Sequence, residues 1–273
     1  WAISGFGQTG PLSARPAYDQ IIQGLSGVMS ITGKPEDGPL RVGFPLADTI
    51  GGLTAAMAIS AALNKRPRGQ MVDVSMLDSV LTTMGWVVSN YLIGGVIPAQ
   101  QGNENITSAP SGTFQTSDGL INIAANEERQ WLALIAHLNC SHLAEDSRFV
   151  TRDNRKIHRH ELITALEPHL KKKSALEWEV ELTTIGVPVG VVMTVPEILA
   201  HPHIAHRGLL AEFENVLGFQ QSISIMRTGF QSDGQPASVD TPPPLIGEHN
   251  DEILRELGYD GEAIEQFRQE GVI

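Results

Sequence analysis

Apolar positions recur at helical spacing in some segments of the chain and at strand spacing in others, and these spacings predict its secondary structure. Helices are predicted at 17–30, 49–64, 77–95 and 127–138, as a pair over 158–186, and as an amphipathic tail at 250–273. Strands are predicted at 70–76, 187–195, 209–216 and 222–229, with a hairpin at 114–125 whose turn is Asp118-Gly119.

The amino-acid composition of the chain changes near residue 98. Residues 100–112 are polar and rich in turn formers, which indicates a linker without regular structure. The hairpin, helices and short strand that follow predict a small α+β domain over 98–208. The chain is therefore expected to divide into three parts, 1–97, 98–208 and 209–273.

Charge and composition narrow the function classes. Nineteen Lys and Arg residues against 31 Asp and Glu give a formal charge of −12, so we expect neither a nucleic-acid partner nor an anionic membrane. The single cysteine, Cys140, cannot form an internal disulfide and is expected to be a buried apolar residue. Without a run of about 18 uninterrupted apolar residues, no membrane span is predicted, and the cytoplasm is the expected location.

Asp48 is the most informative single residue, because it lies just ahead of Gly51-Gly52 at the start of the alanine-rich helix 49–64. One interpretation makes it the helix N-cap, a position that favours Asp. The other uses the same helix N-terminus to keep the carboxylate charged, with the two glycines leaving room for a substrate. A carboxylate held in this way can act as a covalent nucleophile on an activated acyl group.

Two further motifs carry weaker signals. The glycines of GFGQTG, residues 5–10, suggest a dinucleotide site, but Pro11 follows them and no acidic residue lies at the expected distance, so a tight turn is the better interpretation. The histidines of HPHIAH, residues 201–206, match no standard metal spacing and are expected on the surface. No metal site is predicted.

Seven blocks taken together resemble a known family. In chain order they are ISGFGQTGP, RPAYDQIIQGLSGVMSITG, VGFPLADTIGGLTAAMAISAAL, RGQMVDVSMLDSVL, PSGTFQTSDGLINIAA, RGLLAEF and IGEHNDEILRELGY. Each block alone is unspecific, but their order and spacing over nearly the whole chain resemble the class III CoA-transferases, the CaiB/BaiF family.

The resemblance implies an acyl-CoA:carboxylate CoA-transferase with Asp48 as its nucleophile. Coenzyme A and acyl-CoA would be substrates, with no permanently bound cofactor. The implied fold is α/β: two chains interlock as a homodimer, and each combines a Rossmann-like large domain, built from both chain ends, with a smaller α+β domain. The family also has a further N-terminal segment that carries most CoA-binding groups, which agrees with Trp1 resembling the middle of a domain.

The implied substrate-binding and CoA-binding positions complete the prediction. They are Gly5, Phe6, Gly7, Gln8, Tyr18, Gly51 and Gly52. Backbone N–H groups at the glycines would stabilise oxyanions, and Gln8 and Tyr18 would orient the substrate. Arg15 and Arg41 are candidates for binding the second carboxylate of a dicarboxylic acid.

Two alternatives stay open. The family resembled here includes α-methylacyl-CoA racemases, in which a histidine occupies the position of Tyr18. A tyrosine with an unperturbed pKa of about 10 is a poor base at neutral pH, so this chain lacks the second proton acceptor that racemisation needs. Asp19 is the candidate replacement. The other alternative is a non-catalytic fragment that lacks the CoA-binding segment.

Overall fold

The computed structural model describes residues 1–66 and 69–273 and divides into two compact units, Trp1–Val192 and Met193–Ile273. The first unit contains β1 (Ala2–Ser4), α1 (Asp19–Leu25), α2 (Leu46–Asn64), β2 (Asp73–Ser75), α3 (Met76–Thr83), α4 (Trp86–Gly94), β3 (Ser111–Gln115), β4 (Leu120–Ala124), α5 (Glu128–His137), α6 (Arg152–Ile157), α7 (Arg159–Leu170), α8 (Ala175–Thr184) and β5 (Val189–Val191). The second contains α9 (Val195–Leu199), α10 (Pro202–His206), β6 (Leu210–Phe213), β7 (Ile223–Met226), β8 (Gln231–Ser232), β9 (Gln235–Pro236), α11 (Asn250–Glu256) and α12 (Gly261–Gln269).

A parallel strand pair organises the first part of the chain. β1 and β2 run side by side, with Ala2 opposite Asp73 and Ser4 opposite Ser75. Helices α1, α2 and α3 pack together beside this pair. Their shared core is small and consists of Ile22, Val28, Ala47 and Val80.

An antiparallel sheet in the order β3-β4-β5 forms the centre of a second region, residues 109–191. Its inward residues Phe114, Ile121 and Ile123 join apolar residues of helices α5, α7 and α8 in one continuous core, the small-domain core. Cys140 is fully buried in it, as predicted, and burial raises the pKa of its thiol to about 11. The thiol therefore stays protonated at neutral pH.

The second unit has a simpler local structure. β6 and β7 pair antiparallel with Leu210 opposite Met226, which confirms the two strands predicted there. β8 and β9 form a short antiparallel pair. The predicted helical tail is two helices, α11 and α12, separated by Gly258, whose φ is 92°.

Periodicity located most elements, and glycine conformation explains two of the differences. The strand predicted at 187–195 is shorter, because it ends at Val191 and α9 begins at Val195, and the helix predicted from residue 49 begins at Leu46. The hairpin and the helices at 127–138 and 158–186 are confirmed. The predicted helix 77–95 is instead the two helices α3 and α4, since Gly85 lies between them at φ 52°. Helix 17–30 stops at Leu25, and after Gly27 (φ 83°) the chain continues as a 3₁₀ turn.

The division into units differs from the boundaries predicted at 97/98 and 208/209. The structure separates the chain after Val192, and the small-domain core and the α1–α3 core lie on either side of the predicted boundary at 97/98. The polar segment KRPRGQ, residues 65–70, is expected from its sequence to form a turn, and its Pro67 and Arg68 lie outside the described residues.

Helix α2 has an unusual composition for an exposed helix. By length and apolar content alone it is able to cross a membrane, and 17% of its most apolar stretch is buried in this chain. That is weak evidence for a span, because helices of soluble proteins pass the same test.

Candidate active site

The candidate site begins where the parallel strands end. β1 finishes at Ser4 and β2 at Ser75, and the turn 5–8 follows β1 directly. Ligands of open α/β sheets bind beyond the carboxyl ends of the strands. The turn therefore lies at the edge of the sheet where the fold favours a binding site.

Side chains from both strands hold the turn 5–8. The N–H of Gln8 donates to Asp73 Oδ2 at 2.9 Å, and the N–H of Gly7 donates to Ser4 Oγ at 3.0 Å. Gly7 is buried at φ 85°, a conformation that favours glycine. The segment is a tight turn, and Asp73, which sequence reasoning missed, fixes its far end.

Close packing brings the turn against the start of α1. A Cβ added to Gly5 would lie 2.4 Å from the Cβ of Ala17, so only glycine fits there. Phe6 packs on the same small core as Ala47. Tyr18, the N-cap residue of α1, follows Ala17 and is 81% exposed, without a hydrogen bond from its side chain to the helix.

A hydrogen bond connects the start of α1, which follows Tyr18, with the first turn of α2, which contains Asp48. Asp19 is 9% exposed, and its Oδ1 accepts the N–H of Ala47 at 2.7 Å. The bond joins the residue after Tyr18 to the residue before Asp48. The structure thus places the segments that carry the turn 5–8, Tyr18 and Asp48 beside one small core, and their joint role in a site stays a prediction.

Asp48 itself does not cap the helix. Helix α2 begins at Leu46, so Asp48 is its third residue, and the N-cap position belongs to Pro45, which has no side-chain acceptor. Across residues 1–66 and 69–273, the exposed Asp48 carboxylate has no hydrogen bond or ion pair with a protein group. The capping interpretation is therefore wrong, and Asp19 performs that role.

The two glycines after Asp48 differ. Gly51 is buried, and an added Cβ would meet Cγ of Met76 at 3.3 Å, so its small size serves packing against α3. Gly52 has open space around its Cα. Both lie inside α2, where backbone N–H groups bond to carbonyls four residues earlier, so they are poorly suited as oxyanion donors.

The remaining candidates lie on the surface. Arg15 and Arg41 are both exposed, and Arg41 Nε donates to the neighbouring carbonyl of Val42 at 3.3 Å. The histidines at 201–206 lie in and beside α10, where His201 accepts the N–H of His203. Within the described part of the chain, no group of three or more His, Cys, Asp or Glu could hold a metal ion.

A cavity of about 470 Å³ lies between α4 and the linker. Trp86, Asn90, Ile97 and Glu104 are among its lining residues, and none of the predicted site residues is. Burial raises the pKa of Glu104, which Arg159 at 3.7 Å opposes. This cavity therefore does not coincide with the predicted site residues.

Comparison with known proteins tests the predicted α/β fold class. The model of CoA-transferase family III matches residues 1–250. The crystal structure of a CAIB/BAIF family protein from Brucella suis superposes with a TM-score of 0.82 at 33% identity, covering 93% of this chain and 66% of that one. The predicted α/β class is therefore confirmed.

Two enzymes of known activity are similar in sequence. Succinyl-CoA:glutarate CoA-transferase of Homo sapiens is 32% identical over 277 residues, covering 100% of this chain and 63% of that protein. Acetyl-CoA:oxalate CoA-transferase of Acetobacter aceti is 37% identical over 218 residues, covering 78% and 56% respectively. The chain spans less than two thirds of the length of either enzyme.

Proposed function

The chain belongs to CoA-transferase family III, and from that premise we propose that the whole protein moves coenzyme A from an acyl-CoA to a carboxylic acid, with Asp48 as the covalent nucleophile. The observation that carries the proposal is the exposed Asp48 carboxylate. It lies in the first turn of α2, unengaged by other described groups, and next to the residues that the family resemblance assigns to substrate binding.

The proposed chemistry balances without a cofactor. An Asp48 oxygen attacks the thioester carbonyl, the C–S bond breaks, and CoA leaves as a thiolate with an aspartyl acid anhydride left behind. The thiolate then attacks the Asp48 carbonyl and releases the donor acid as its carboxylate. The acceptor carboxylate reverses the two steps: it attacks the aspartyl thioester, and the thiolate then attacks the acceptor carbonyl and regenerates Asp48.

The local structure suits this role for two reasons. The N-terminus of a helix favours negative charge, so the first turn of α2 stabilises the carboxylate between turnovers. In addition, the N–H of Asp48 has no protein partner among the described residues, since the first intrahelical bond is from Thr49 to Pro45. That N–H is available as a donor to an oxyanion, whereas the N–H groups of Gly7 and Gln8 in the turn 5–8 already donate to Ser4 and Asp73.

Small mono- and dicarboxylic acids are the proposed substrates. The human relative is named for succinyl-CoA and glutarate, and the Acetobacter aceti relative for acetyl-CoA and oxalate. Arg15 and Arg41 are exposed guanidinium groups near the site segments in sequence, and we propose them as partners for a second carboxylate.

A homodimer in the cytoplasm completes the proposal. Large apolar side chains of α2 and α4 are more than half exposed in this chain, among them Leu53, Met57, Leu92 and Ile93. Apolar surface of this extent is typical of interfaces, and a second copy of the chain is the proposed cover. The single, buried cysteine agrees with a reducing compartment.

Trapping the covalent intermediate tests the proposal directly. We expect the whole protein, incubated with an acyl-CoA and hydroxylamine, to lose activity and to gain a hydroxamate on the peptide that contains Asp48. Asp48→Asn, which keeps the side-chain size, should lower turnover by at least about 10³-fold, because the nucleophile is absent. Wild-type turnover of this variant would exclude Asp48 as the nucleophile.

Deuterium exchange separates transfer from racemisation. With a chiral 2-methylacyl-CoA in D₂O, little deuterium should enter the α-carbon, since Tyr18 replaces the histidine of racemases. Rapid exchange together with an unmodified Asp48 peptide would favour the racemase alternative. Neither reaction, in a preparation of the whole folded protein, would favour a non-catalytic role.

A further inference from the structure

We propose that Asp19 and Gln23 act as a buried positioning pair that sets the location and direction of the first turn of α2, and through it the Asp48 carboxylate. The catalytic part of this inference rests on the function proposed above. The structural part does not, because it concerns hydrogen bonds between α1 and the segment 42–47 that exist whatever the protein catalyses.

The pair makes a continuous set of hydrogen bonds. Asp19 Oδ1 accepts the N–H of Ala47 at 2.7 Å, while Oδ2 accepts Gln23 Nε2 at 2.7 Å. Gln23 Oε1 then accepts the N–H of Val42 at 2.9 Å, and Nε2 also donates to the carbonyl of Phe44 at 3.3 Å. Two side chains of α1 thus hold three points of the six-residue approach to Asp48.

Both side chains are buried, so breaking these hydrogen bonds costs more free energy than it would at the surface. Gln23 is fully buried and Asp19 is 9% exposed. A buried polar group that loses its partner keeps the full cost of its desolvation. The bonds from these two side chains therefore define the position of the segment 42–47.

Among the residues that the structure describes, no other side chain performs this role at the start of α2. Its N-cap residue is Pro45, which has neither an N–H nor a side-chain oxygen, and the next N–H donor, on Leu46, turns back to the carbonyl of Phe44 at 2.8 Å. The N–H of Ala47 is the donor that a capping side chain would normally satisfy, and Asp19 supplies the acceptor from another helix.

The consequence for catalysis follows from geometry. Asp48 is the residue next to Ala47, so a shift of the first turn moves its carboxylate by a similar distance. A misplacement of about 1 Å at a reacting group can cost about 10²-fold in rate. Asp19 and Gln23 are therefore positioning residues, which touch the helix and not the substrate.

Donor and acceptor polarity makes the proposal testable. In Asp19→Asn the new Nδ2 donor faces the Nε2 donor of Gln23, and relieving that clash by flipping the Gln23 amide turns a donor toward the N–H of Val42. The double variant Asp19→Asn/Gln23→Glu restores the pattern, because the amide introduced at position 19 donates to the carboxylate introduced at position 23, and that carboxylate accepts the N–H of Val42. It loses the 3.3 Å hydrogen bond to Phe44, whose carbonyl oxygen then faces a carboxylate oxygen.

The experiment compares Asp19→Asn, the double variant, Asp48→Asn and the matched control Asp37→Asn, an exposed carboxylate in the same part of the chain. Amide hydrogen exchange of the peptide covering 42–49 is measured together with kcat and KM of the whole protein. We expect Asp19→Asn to speed exchange in this peptide and to lower kcat about 10- to 100-fold, with KM within about twofold. The double variant should restore both to within about threefold, and Asp37→Asn should change neither.

Each result decides the proposal. Wild-type exchange and kcat in Asp19→Asn would overturn it. Restored exchange with kcat still lost in the double variant would also overturn it, because Asp19 would then act on the substrate directly. If Asp19→Asn does not fold, the double variant is compared with the wild-type protein by the same two measurements, and wild-type exchange with a lost kcat overturns the proposal. Failure of the functional proposal can be distinguished from failure of this one. It would appear as wild-type turnover in Asp48→Asn, or as no CoA transfer by the wild-type protein. In either case the hydrogen-exchange data still show whether Asp19 and Gln23 position the segment 42–47.

Discussion

The small-domain core and the segments around Asp48 are held together by different forces. In the small domain, apolar residues of one sheet and its helices form a continuous core, and two helices begin with capping boxes made by Glu127 and Ser174 within their own sequence. Around Asp48 the core has four buried members, and buried polar side chains from other elements connect the segments.

The two kinds of interaction serve different purposes: apolar packing stabilises the fold, and buried hydrogen bonds position the residues of the candidate site. Burial of apolar surface is strong but has no direction, so it suits a region whose role is to remain folded. Hydrogen bonds contribute less net free energy but define angles and distances closely. The same size of chemical change should therefore affect the free energy of unfolding in one region and the geometry of a carboxylate in the other.

Trp131→Ala should have the largest effect. Trp131 is fully buried in the small-domain core, and removing such a side chain costs about 3–5 kcal/mol of unfolding free energy. Hydrogen exchange by peptide should show the loss in α5, α7 and α8 while α1 and α2 keep their protection. Equal loss in α1 and α2 would show that the two regions unfold as one and would break the comparison. Leu132→Ala, at a largely exposed neighbouring position, is the control.

Arg155→Met should follow with a loss of about 2–3 kcal/mol. Arg155 is 2% exposed and donates to the carbonyls of Phe149 and Ala109 and, at 2.5 Å, to Glu128. The variant leaves both carbonyls without this donor. Glu128→Gln should cost below about 1 kcal/mol, because that carboxylate is 56% exposed. Denaturant unfolding measures both, and a larger loss in Glu128→Gln would assign the stability to the ion pair instead.

Ser174→Ala should cost about 1 kcal/mol. Ser174 Oγ accepts the N–H of Glu177 at 3.2 Å and donates to Glu177 Oε2 at 2.6 Å, and Oε2 also accepts the N–H of Ser174 at 2.8 Å. Ser174→Thr keeps a hydroxyl that can accept from the N–H of Glu177 and donate to its carboxylate, and it is expected to keep the stability. The thermal midpoints of the two variants provide the measurement, and equal destabilisation by both would argue against a capping role.

Asp48→Asn should have the smallest effect on stability, within about 0.5 kcal/mol. The carboxylate is exposed and has no partner among the described residues, so the change removes no protein contact. Asp19→Asn, the same chemical change at a buried and bonded position, should destabilise more. Equal unfolding midpoints for these two variants would contradict the distinction between a positioned residue and a positioning residue.

The sequence by itself determined the local elements and the family. The hairpin at Asp118-Gly119 follows from its turn residues, and the helix 127–138 from its apolar spacing, because both signals act between near neighbours. Asp48 was identifiable as the candidate nucleophile through the ordered motifs around it. Periodicity alone predicted one helix over 77–95, but the structure has two helices there, because the backbone conformation of Gly85 ends the helical path between them.

Only the tertiary structure decided what holds the candidate site together. Asp19 caps α2 from a distance of 28 residues, Asp73 reaches Gln8 across 65, and Gly51 is small because Met76 lies against it. No local pattern signals these contacts, since Asp is common at helix starts and strand ends whether or not another segment needs its oxygens. The partner of a buried polar group depends on which segments folding brings within about 3 Å, and that distance exists only once the chain has folded.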